Sequence, residues 1–110
     1  MDEEWEVVYE GGTEDLQDVM QDVMDGTWYY VTAIVDEVEK RSGLRFREFT
    51  DATVILEWPH YREEVYYAVF ENDVKKPVLV VKYTPSDSPT TVTVMVATVD
   101  YLLRKLRNDP

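Results

Sequence analysis

The chain has 110 residues, 45% hydrophobic and 13% aromatic, with a formal net charge of −12. That length predicts one domain over residues 1–110, large enough to bury a core without staples. The apolar content excludes intrinsic disorder, and the charge disfavours binding to nucleic-acid phosphates or anionic lipid.

The absence of cysteine removes disulfides and thiolate metal sites, and fits a reducing, cytoplasmic setting. No 18-residue apolar run is present, and the acidic first residues are the opposite of a signal-peptide n-region. The charge is polarised. Asp2, Glu3, Glu4, Glu6, Glu10, Glu14, Asp15, Asp18, Asp22, Asp25, Asp36, Glu37 and Glu39 precede the first base, Lys40. These 13 of the 23 carboxylates leave the later residues nearly neutral. Uniform acidity suggests adaptation to salt, and the scarcity of lysine with abundant valine and threonine agrees with that. Polarised acidity instead points to a surface that meets something basic.

Trp5, Val7 and Tyr9 alternate with Glu4, Glu6 and Glu10, which predicts a short half-buried strand ended by Gly11-Gly12. Thr13 then suits a helix cap, with Glu14 and Asp15 at the positive helix end. Leu16, Val19, Met20, Val23, Met24, Trp28, Val31, Val35 and Val38 follow steps of three and four, the mark of one helical face. Within it Gln17-Asp18-Val19-Met20 is echoed by Gln21-Asp22-Val23-Met24, too short for a repeat architecture. Asp25-Gly26 predicts a kink or a break into two helices, and a strand over 27–34 is the alternative. Lys40, Arg41 and Gly43 mark the helix end.

Residues 44–83 read as an antiparallel meander. Val65–Phe70 and Val78–Val81 are apolar on both faces, the pattern of central strands covered on both sides, with Asn72-Asp73 as their turn. After the loop at 84–89, Ser88 and Pro89 suit a helix start. Val92, Met95, Val96, Val99, Leu102, Leu103 and Leu106 then predict a C-terminal helix, in competition with the β-branched run from Thr90 to Val94. The expected architecture is α+β: four or five antiparallel strands flanked by an acidic N-terminal helix and a C-terminal helix.

Motifs for chemistry are few. His60 is the one histidine and sits in a predicted turn, where it reads as a loop residue rather than a base. Ser42, Ser86 and Ser88 occupy turn or capping positions, with no nucleophile elbow. One His and no Cys make zinc unfavourable, and no Walker loop, dinucleotide fingerprint or calcium loop appears, so no cofactor is expected. The hairpin Val65-Tyr66-Tyr67-Ala68-Val69-Phe70 and Lys76-Pro77-Val78-Leu79-Val80-Val81-Lys82-Tyr83-Thr84 resembles the core hairpin of PD-(D/E)xK nuclease-like domains. It is most similar to the N-terminal region of type I restriction subunits. Tyr66 stands at that motif's Asp, Lys82 at its Glu and Thr84 at its Lys. The reaction needs those carboxylates to hold Mg²⁺, so the resemblance implies a degenerate, inactive relative. Asp51, Glu57 and Glu64 are the nearby carboxylates whose substitution would test residual cleavage.

Glu14, Asp18, Asp22 and Asp25 follow i, i+4, i+8, i+11, a row with steps of about 6 Å, and Asp15 lies beside it. Such a row either imitates nucleic-acid phosphates for a basic groove or is a solvated face. Trp28, Tyr29 and Tyr30 point in successive directions, so one helix face cannot bury all three, and aromatics are enriched at interfaces. The expectation is a non-enzymatic binding protein. It docks a protein with a basic surface through the acidic helix and forms a homodimer, without binding nucleic acid or membrane directly. A small secretion-type chaperone shares the layout of terminal helices around a meander.

Overall fold

A computed structural model describes residues 4–13, 16–58, 61–84 and 90–108, with side chains described over 4–11, 22–50, 63–82 and 92–107. Strand β1 spans Trp5–Thr13 and helix α1 spans Leu16–Ser42. Strands β2 (Phe46–Trp58), β3 (Tyr61–Phe70), β4 (Lys75–Thr84) and β5 (Thr90–Ala97) follow, then helix α2 (Val99–Asn108). The five strands form one antiparallel sheet in the order β1-β5-β4-β3-β2. The α+β class is therefore as the pattern predicts, with five strands and two helices.

The meander β2–β5 is built from neighbouring antiparallel strands, and β1 adds to its β5 edge. α1 connects the strands at the two edges of the sheet. Its 27 residues correspond to about 40 Å at 1.5 Å per residue, against a molecular long axis of 45 Å. Val31, Val35 and Val38 are buried on its inner face, against a core that includes Ala68, Phe70, Leu79, Val81, Val92, Val94 and Val96. Leu102 and Leu106 of α2 join the same cluster. Both helices thus cover one face of the sheet.

Four expectations need correction. First, α1 runs as one element through Gly26, so the break into two helices does not occur, and residues 27–34 are helix, as the three-four spacing predicts, rather than the alternative strand. An interior glycine costs a helix only about 1 kcal/mol. The threonines near it are accommodated by back-bonding: Thr27 Oγ1 donates to the Val23 carbonyl at 2.7 Å and Thr32 Oγ1 to that of Trp28 at 2.8 Å. Second, β1 does not stop at Gly11-Gly12. It continues to Thr13, because Gly11, Gly12 and Thr13 pair with Val92, Thr91 and Thr90. Third, Thr90–Ala97 is a strand and not the first half of a helix. Val92, Val94 and Val96 are buried while Thr93 and Met95 are half-exposed, so period two wins over the three-four spacing. α2 begins only at Val99, where Thr98 Oγ1 accepts the Tyr101 N–H at 3.1 Å as an N-cap. Fourth, helices cover the central strands on one face alone. On the other, Val65 and Val80 are buried without a second layer of the chain among the described residues, at the floor of a groove lined by Trp5, Tyr67, Pro77 and Met95. The Ser88-Pro89 cap and His60 lie outside the described residues.

Two backbone positions use left-handed geometry. Gly43, at φ 79°, ends α1 with its N–H on the Glu39 carbonyl at 2.9 Å. Asp73, at φ 63°, sits in the β3–β4 turn and pairs with Arg47.

Candidate functional site

Two surfaces stand apart: the outer side of α1 and the sheet face without helices. On α1, Val31, Val35 and Val38 fix the inward face, which leaves Asp22, Asp25, Tyr29 and Asp36 exposed on the outside. Residues 22, 29 and 36 are seven apart, and 25 lies one turn from 22, so they share one stripe. The stripe is about 21 Å long at helical rise. Tyr29 stands in it with 76% of its surface exposed. Of the rest of the acidic row, Asp18 lies on α1 without a described side chain, while Glu14 and Asp15 lie outside the described residues.

The three aromatics at 28–30 take separate roles. Trp28 is half-buried and packs edge-on against Phe49 (4.8 Å between centroids) and Tyr66 (5.4 Å). Tyr30 donates its hydroxyl to Glu6 Oε1 at 3.0 Å, joining α1 to β1. That hydrogen bond, then burial and the Glu6 charge, hold the Tyr30 phenol above its ordinary pKa. Tyr29 alone of the three faces outward without such a link to the sheet or its core.

The cations gather at the other end of α1. Arg41 pairs with Glu37 at 2.7 Å, and Glu39 accepts the Phe46 N–H at 2.7 Å. Lys76 is buried on the helical side of β4. Burial, then the charge of Lys105, pull its pKa below the ordinary lysine value.

The open sheet face is built by register. Val7 pairs with Met95, Met95 with Val80, Val80 with Val65, and Val65 with Thr53. Because cross-strand partners point to the same side, Val7, Met95, Val80 and Val65 form one transverse row across β1, β5, β4 and β3. Toward the β3–β4 turn Pro77, Tyr67 and Thr50 pair in register, and Trp5, which pairs with Ala97 and sets its ring 5.9 Å from that of Tyr101 on α2, reaches the same groove from the edge. On the other side runs a polar row of Glu10, Thr93, Lys82 and Glu63, in which Lys82 Nζ lies 3.5 Å from Glu63 Oε2. Lys75 Nζ stands 5.3 Å from the Tyr67 ring centre at the opposite rim. Between these rims lies an open groove of ≈ 420 Å³ lined by Trp5, Val65, Tyr67, Pro77, Val80 and Met95, with Glu63 and Lys82 at its edge.

The hairpin that resembles the nuclease-like core is β3–β4. Tyr66 faces the helices beside Trp28, whereas Lys82 lies on the open face with Glu63, so the two do not converge. The described residues hold no group of three or more His, Asp or Glu side chains placed to bind a metal ion. None of their helices is long and apolar enough to cross a membrane. No family model, curated protein or solved structure matches the chain.

Sequence reasoning identified the apolar strands of the open face but read them as covered. The groove itself was missed, since its Trp5, Met95 and Pro77 come together only through the β1-β5-β4 order. The Tyr30–Glu6 link carries no local signal, because 24 residues separate the partners.

Proposed function

We propose that this protein is a non-enzymatic binding module whose acidic α1 stripe docks a basic surface on a protein partner. The observation that carries this reading is the exposed alignment of Asp22, Asp25 and Asp36 with Tyr29 among them. An aromatic ring amid carboxylates supplies what interfaces use: charge for steering and a rigid apolar contact for affinity. The sharper form of the reading is mimicry. Acidic positions 18, 22 and 25 of α1 rise in steps of about 6 and about 4.5 Å along the helix, a spacing that resembles a phosphate row, so the partner would be a nucleic-acid-binding protein held in an occupied state.

The test is capture of partners from nuclease-treated lysate by wild type, by Asp22→Asn/Asp25→Asn/Asp36→Asn, and by the charge-matched control Glu10→Gln/Glu48→Gln/Asp100→Asn. A basic protein held by wild type and the control, lost with the α1 variant and at high salt, is the expected result. Its release by added duplex DNA is expected of the mimic. Equal capture by both variants would remove the stripe from the account.

A further inference from the structure

We infer that a second copy of this chain covers the open sheet face, in an isologous dimer whose twofold axis runs between β3 and β4. This surface lies opposite the helices, so the inference stands apart from what α1 docks.

The first argument is the composition of the face. A sheet packed by helices on one side ordinarily presents alternating polar residues on the other. Here Val65 and Val80, 7% and 5% exposed, form the floor of the groove, while half-exposed Met95, Tyr67 and Pro77 and Val7, 53% exposed at the edge strand, present the apolar surface around it.

The second argument is charge. Glu63 and Lys82 are direct cross-strand neighbours on β3 and β4. A twofold axis between those strands sets the Lys82 of one copy opposite the Glu63 of the other, and the reverse. The same operation lays Val80 on Val65. Adjacent opposite charges flanking an apolar pair are thus self-complementary, which is the requirement of an isologous interface.

The third argument is size. Five strands at about 4.8 Å spacing and about eight residues of length give a plan of roughly 24 by 26 Å, about 600 Å² before side-chain relief. Stable interfaces use about 800 Å² per partner, so the face is of the right order. Geometry also permits it despite the net charge of −12. Sheets stack about 10 Å apart, so the helices lie on opposite outer surfaces. The two acidic stripes are then separated by well over the Debye length of about 8 Å at physiological salt. Salt screens what repulsion remains and leaves the apolar contact intact.

Sedimentation velocity of the full chain across dilution, at low and high salt, tests this. The expected species has twice the 12.9 kDa chain mass and persists or tightens as salt rises. Glu63→Lys weakens it about tenfold or more, and Glu63→Lys/Lys82→Glu restores it. Met95→Lys, at a half-exposed position of the same row, abolishes it while circular dichroism reports an intact fold. Should that variant not fold, the charge swap decides. A chain that stays at 12.9 kDa at every concentration overturns the proposal. So does a dimer indifferent to Glu63→Lys, or one that the double swap does not recover.

Discussion

The outer side of α1 and the open face of the sheet sit on opposite sides of one hydrophobic core, and they differ in nearly every physical respect. The helix stripe is charged, with Tyr29 among its carboxylates. The sheet face is apolar, with one ion pair at its rim. The attraction proposed for the first is Coulombic and would weaken with salt, whereas the association proposed for the second rests on removal of apolar surface from water and would survive salt. If both proposals hold, the two surfaces respond oppositely to salt, and one can hold a second copy while the other meets a different partner.

The largest expected effect acts on both surfaces at once. Phe70 is fully buried beneath the helices, and Phe70→Ala should lower stability by about 3–5 kcal/mol in chemical denaturation. Both associations should then fail together in proportion to the unfolded fraction. The remaining changes separate the surfaces. Met95→Lys places an ammonium group in the apolar row at a half-exposed position, and the dimer should be lost while partner capture by α1 persists. The reverse is expected of Asp22→Asn/Asp25→Asn/Asp36→Asn. At about 0.5 kcal/mol per exposed carboxylate, partner affinity falls roughly tenfold in total. The dimer should be unchanged or slightly tighter, as judged by sedimentation.

Two smaller changes sharpen the contrast by acting on the scaffold. A Cβ added at Gly26 meets nothing within 4 Å, so Gly26→Ala should raise stability by about 0.5–1 kcal/mol without altering either surface. Tyr30→Phe removes the hydroxyl that joins α1 to β1. At this largely solvated site the loss should be about 0.5 kcal/mol near neutral pH. Its pH dependence has a definite sign. The folded-state pKa of Tyr30 lies above the unfolded value of 10.0, so the phenol contributes stability in full below pH 10. That contribution fades as pH rises through the folded value. Lys76 works the other way: its lowered pKa makes stability rise with pH toward 10.5. Because Lys76 is common to both proteins, the wild-type minus Tyr30→Phe difference isolates the tyrosine. That difference should shrink above pH 10.

What the sequence made legible follows from how local each signal is. The helical face of α1 is readable because its apolar period persists from Leu16 to Val38, about six turns, whereas its continuity through Gly26 was not, since Asp25-Gly26 reads locally as a breaker although it costs only about 1 kcal/mol. The meander is readable from alternation and from the Asn72-Asp73 turn. β5 was not, since Val92, Met95, Val96 and Val99 satisfy a helical period while Val92, Val94 and Val96 satisfy a strand period. Its hydrogen bonds to β1 on one side and β4 on the other decide the matter, and both are distant in sequence. The acidic stripe was visible in outline. The distinction among Trp28, Tyr29 and Tyr30 was not, because Phe49, Tyr66 and Glu6 determine which ring remains outside. The open face was hidden for a related reason. Strands apolar on both sides announce that two layers cover them, but the pattern does not say whether both layers belong to one chain.

The most direct test of the two-surface account is sedimentation of the protein together with a captured basic partner, followed through a rising salt series. The account predicts that the partner dissociates first and leaves a species of twice 12.9 kDa. A partner that stays bound while the protein falls to single chains would contradict it.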